Sequence, residues 1–140
     1  MTMTEKYTLM CDDVRLENNG KFLIIGMYTG GITVPQFPFP CGLTFLSVFD
    51  VDRLGNYMLR AKIENAESGR VIAQQVVMLD ITQMPTMPSP ALTVIRFPAV
   101  TLESAGAYTM SMTVESQANP VVIFPFNVIL VIPPQLQQRM

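Results

Sequence analysis

Histidine does most acid–base, nucleophile-activating and zinc-binding work near neutral pH, and this chain of 140 residues contains none. Ser-His-Asp and Cys-His catalysis, the common zinc sites and imidazole proton transfer are therefore excluded. Carboxylates remain as candidates. Asp12 and Asp13 are adjacent at the end of an extended stretch, and neighbours in a strand point to opposite faces, so they are not expected to serve one site. Pairing with Arg15 or capping of the following turn explains them better. Asp50, Asp52, Gly55 and Asn56 superficially match the start of a calcium loop. Leu54 stands where a third oxygen ligand belongs, and Ala61 stands where the closing glutamate belongs, so the match fails. Gly30-Gly31 has neither the pattern nor the following helix of a phosphate loop. Cys11 and Cys41 form no CxxC pair and have no histidine beside them. They read as two buried or half-buried thiols of a cytoplasmic protein, with a single disulfide as the alternative if the chain is exported without a signal. The expectation is a non-enzyme with no catalytic residue, no cofactor and no metal.

The elements that carry these residues are extended. Strand-like runs recur about every ten residues between Gly-, Pro- and Asn-rich turns, and no twelve-residue segment keeps a helical apolar period. Tyr7 to Cys11, Lys21 to Tyr28 (with Ile32 to Val34 beyond a bulge), Leu43 to Val51, Tyr57 to Glu64, Val71 to Leu79, Ala91 to Phe97, Gly106 to Glu115 and Val121 to Ile132 read as strands. Tyr57 to Glu64 alternates most cleanly, with Tyr57, Leu59, Ala61 and Ile63 against Met58, Arg60, Lys62 and Glu64. Pro35 to Pro40 is too proline-rich for a central strand. Together with Pro85 to Pro90 it suits crossovers between two sheets. The fold class expected is all-β, an antiparallel β-sandwich of about eight strands, as one domain over 1–134 with a polar tail at 135–140.

Charge bounds the partners. Net charge is −2 and charged residues make up 14% of the chain, against roughly 25% in typical soluble domains. No basic cluster supports nucleic-acid or anionic-membrane binding. The N-terminal ten residues lack the apolar centre of an export signal, and the longest apolar run, Val121 to Ile132, is broken by Pro125 and Asn127, so no membrane span is expected. A cytoplasmic location follows, with a virion as the alternative.

Two resemblances add to this. Ser104-Ala-Gly-Ala-Tyr108, leading into Met110, Met112 and Val114, resembles the Gly-x-Tyr approach to a late strand of immunoglobulin-like domains. That likeness implies a tyrosine hydroxyl tying a corner. The chain has no tryptophan, which sets it apart from antibody-type domains. Cys11-Asp-Asp-Val-Arg15, Asn19-Gly-Lys21 and Ile25-Gly-Met-Tyr28 resemble the opening of an uncharacterised bacterial, partly phage-associated family. That resemblance implies no activity.

A weakly charged surface needs a neutral polar skin or a covering partner. The leading expectation is a structural or accessory interaction domain that binds a protein partner or self-assembles as a homo-oligomer. The candidate surfaces are the loop carrying Phe37 and Phe39, and the last strand with Val121, Ile123, Ile129 and Val131. A small-ligand or carbohydrate-binding sandwich is the alternative. The phage likeness, if carried over, implies a virion accessory or host-takeover role.

Overall fold

Period-two alternation is realised as strands throughout a computed structural model that describes residues 3–81 and 89–132. In chain order these are β1 (Met3–Leu16), β2 (Phe22–Met27), β3 (Gly31–Val34), β4 (Phe39–Val51), β5 (Gly55–Asn65), β6 (Val71–Ile81), β7 (Ser89–Leu102), β8 (Gly106–Val114) and β9 (Val122–Leu130). They form a four-stranded sheet in the order β2-β1-β4-β7 and a five-stranded sheet in the order β3-β9-β8-β5-β6. Pairings are antiparallel except β3 with β9, which is parallel. The fold is all-β, as expected.

Among the described residues the strands number nine, not about eight. The difference lies at Gly30-Gly31, where the chain changes sheets instead of bulging within one strand. A Cβ on Gly31 would lie 2.6 Å from the backbone oxygen of Asn127, so only glycine lets β3 come this close to β9. The Pro-Phe segment also departs from expectation, because Phe39 and Pro40 belong to β4. They pair with Leu102 and Thr101 of β7, whereas β1 joins β4 only from Thr44 onward. Pro40 thus sits where β4 has one neighbour, and its missing N–H costs no ladder bond there. β7 is an edge strand and runs on through Pro98 for the same reason. β1 extends beyond Cys11 through both aspartates. Residues 85–88 of the second proline segment and the tail at 135–140 lie outside the described residues, and Ser89 and Pro90 of that segment open β7 instead of crossing between sheets.

One core joins the sheets. Phe45, Phe49, Ile95 and Phe97 of the first sheet meet Leu59, Ile63, Met110, Met112 and Phe126 of the second. Phe45 is edge-on to Phe97 at 5.8 Å and to Phe124 at 5.6 Å, a favoured aromatic geometry. Tyr108 stacks on Phe126 and donates its hydroxyl to the Ser104 carbonyl at 2.8 Å. Tyr57 ties its own corner the same way, to Arg53 O at 2.6 Å.

A smaller apolar cluster lies on the opposite face of the first sheet. Cys11, Val14, Leu46 and Val48 are buried in it, with Leu9, Leu92 and Val94 partly buried around them. Strand register makes rows of it: Leu9, Leu46 and Val94 stand side by side, as do Tyr7, Val48 and Leu92.

Candidate interaction surface

The two aspartates part company, as alternation requires. Asp13 accepts from Val14 N at 2.9 Å and pairs with Arg15 and Arg96 at 3.4 and 3.5 Å. The Val14 amide first, then both guanidinium groups, hold its carboxyl below the usual range. Asp12 instead accepts the Tyr28 hydroxyl at 2.6 Å. Its carboxylate lies over Gly26, where an added Cβ would come within 2.3 Å of Oδ2. Burial first, and then this bond to a carboxylate, push the Tyr28 phenol well above the ordinary tyrosine range.

Neither thiol is set up as a nucleophile. Cys11 is buried and points its Sγ at the Thr44 carbonyl, 3.6 Å away; Cys41 is half-buried, and both are free. Burial raises both pKa values, with Asp12 adding to the effect. Asp50 lies 4.0 Å from Lys6. Among the described residues no three His, Cys, Asp or Glu side chains converge as a metal site would need, and no helix is long and apolar enough to cross a membrane.

An open groove of about 380 Å³ lies where the chain crosses between sheets, against Met10, Tyr28, Gly31 and Phe126. Its lining is mostly apolar, and the Thr8 hydroxyl on its rim is already bonded to Glu5 and to Ser47. It gathers none of the convergent polar groups of a small-ligand site.

The surface residues picked out from sequence fall into two groups. Phe37, Phe39 and Val121 are partly buried against the main core. Ile123, Ile129 and Val131 are exposed. β9 keeps a clear alternation, with Val122, Phe126 and Val128 inward and Ile123, Pro125 and Ile129 outward. Ile123 and Ile129 stand six residues apart on its outer side, about 20 Å along the strand, with Pro125 and Asn127 between them. Ile129 runs on into exposed Leu130 and Val131, so the outward apolar positions gather at the end of β9, with Ile123 apart from them.

The surface that sequence reading missed is β2. The run Phe22-Leu-Ile-Ile25 has the composition of a core strand, yet β2 is the outer strand of its sheet. Phe22, Leu23, Ile24 and Met27 are 40%, 47%, 36% and 51% exposed. The strand is apolar on both faces, and among the described residues its outer edge has no strand partner. The other three edges are managed in the ways natural sheets use. β6 and β7 lie against each other where the sheets meet, β7 carries prolines, and β3 is four residues long with Ile32 and Val34 buried. One signal was available: no charged residue occurs between Phe22 and Phe49, so no charge guards this edge.

A family model described as "Family of unknown function (DUF6941)" matches residues 6–128. No curated protein matches the chain. Among solved structures, a β-glucosidase from Listeria innocua in complex with isofagomine aligns over 94% of this chain, with TM-score 0.44 and 9% identity. The novel β-glucosidase EmGH1 from Erythrobacter marinus aligns over 93%, with TM-score 0.43 and 10% identity. The chain spans 17% and 15% of the lengths of those two proteins.

Proposed function

The chain belongs to this family of unknown function, and we propose that it is a non-catalytic accessory domain that associates with a protein partner or with copies of itself through the β2 edge of its four-stranded sheet. The observation that carries this reading is an uncharged edge strand with four large apolar side chains in water. Such an edge is a template for strand addition: backbone N–H and C=O groups supply affinity, and the alternating side chains supply selectivity. The absence of histidine and the unreactive setting of both thiols support a role without catalysis. The two free thiols also support a cytoplasmic location. On this reading the two sheets are an immunoglobulin-like sandwich, which the Tyr108 hydroxyl tied to Ser104 O supports.

The test is the state of the chain in its native setting. Native-gel migration and chemical crosslinking in extracts should place the wild-type chain in an assembly larger than itself, and Leu23→Lys should release it. A wild-type chain that migrates alone and crosslinks to nothing sinks the proposal.

A further inference from the structure

We infer that the occupant of the β2 edge is a second copy of this chain, paired antiparallel about a two-fold axis near Ile24 and Ile25, so that two four-stranded sheets become one sheet of eight strands. This rests on the reading of β2 as an interaction edge and names its partner.

Symmetry is the first argument. A two-fold interface sets a strand against its own reverse, so residues at its centre face copies of themselves or of near neighbours. A charge there would meet the same charge about one strand spacing away, roughly 5 Å. Phe22–Met27 carries none. Its centre is Ile24-Ile25, flanked by Leu23 and Phe22 on one side and Met27 on the other, so every opposed position is apolar or glycine.

The charges at the two ends give the second argument. Lys21 precedes the strand and makes no ion pair among the described residues; its backbone N–H is bonded to Asn19 Oδ1 at 3.0 Å. At the other end the Asp12 carboxylate lies over Gly26 and accepts the Tyr28 hydroxyl, with no cation of the described residues in ion-pair contact. On β2 itself the edge thus starts at Lys21, with Glu17 of the β1–β2 turn across from it, and finishes under the Asp12 carboxylate. Antiparallel pairing brings the Lys21 end of one copy to the Asp12 end of the other, twice. Parallel pairing would set like ends together. Attraction between the ends acts within about a Debye length, 8–10 Å at moderate salt, and favours the antiparallel arrangement.

The third argument is the absence of guards. The other edges are very short, proline-bearing or packed against a neighbour; β2 carries no proline, charge or packed neighbour, and its one irregularity is Gly26, at φ +65° near its finish.

Light scattering after size exclusion, run on the purified full chain across a wide concentration range, should give twice the chain mass at high concentration. Hydrogen exchange should slow in the segment from Lys21 to Tyr28 as concentration rises, a readout that needs no variant. Leu23→Lys and Ile24→Lys should each weaken the dimer at least about tenfold while circular dichroism stays that of the folded chain. Ile123→Lys, on the other sheet, should leave the dimer intact. A wild-type chain that stays monomeric throughout overturns the inference, as does a dimer whose Lys21–Tyr28 exchange is unchanged by concentration. Either result leaves the interaction reading to the native-assembly test, because a different partner would still appear there and would still be lost with Leu23→Lys.

Discussion

Asp12 and Tyr28 show how a single side-chain pair couples β1 to the strand beside it. The phenol is held above its ordinary pKa, so the folded state keeps the proton that the unfolded chain gives up near pH 10. The stabilisation is therefore full below about pH 10 and is lost as pH rises from there toward the folded value. Urea melts from pH 8 to pH 11 should show a decline above pH 10 that Tyr28→Phe flattens, and absorbance titration compared with Tyr28→Phe should find Tyr28 ionising late. At the Tyr108 corner, Tyr108→Phe removes a buried hydroxyl bond to Ser104 O, so it should cost about 1 kcal/mol and lower Tm by about 4 °C in a thermal melt. Much of this scale was legible in sequence. The split of Asp12 from Asp13 follows from strand alternation alone. What Asp12 touches was not legible, because its contacts come from Tyr28 and Gly26 across a strand pair.

For the elements, sequence was a good guide to existence and a poor one to position. The alternation from Tyr57 to Ile63 states which face of β5 is inside, and the structure buries those residues. Nothing comparable marks β2 as an edge. A run of Phe, Leu and Ile has the same pattern in the middle of a sheet and at its rim, and the difference is decided by which distant strand pairs with it. The two glycines after β2 carry a sharper local message. Gly31 meets the Asn127 carbonyl where a Cβ would go, whereas Gly30 has open space around it. Gly31→Ala should destabilise the fold by about 2 kcal/mol and loosen β3 from β9, read by urea unfolding and by faster exchange at Ile32 to Val34. Gly30→Ala should change stability by less than about 0.5 kcal/mol in the same assay.

At the level of the whole molecule, one aromatic-centred core makes the two sheets a single cooperative unit. Phe45 is fully buried and touches Phe97, Phe124 and Phe126, and so bridges both layers. Phe45→Ala should cost about 3–5 kcal/mol, measured as a shift in the urea midpoint with one transition retained. The parallel ladder of β3 with β9 bears on how this unit assembles. It matches Gly31 with Asn127 and Val34 with Leu130, residues separated by most of the chain. Among the described residues β3 pairs with β9 alone, so it has no strand to join until β9 has been synthesised. Loop closure of that span must come before any reward from pairing, which sets a slow search. During synthesis β1, β2 and β4 can pair with one another as they emerge, while β3 between them stays unhoused until β9 arrives.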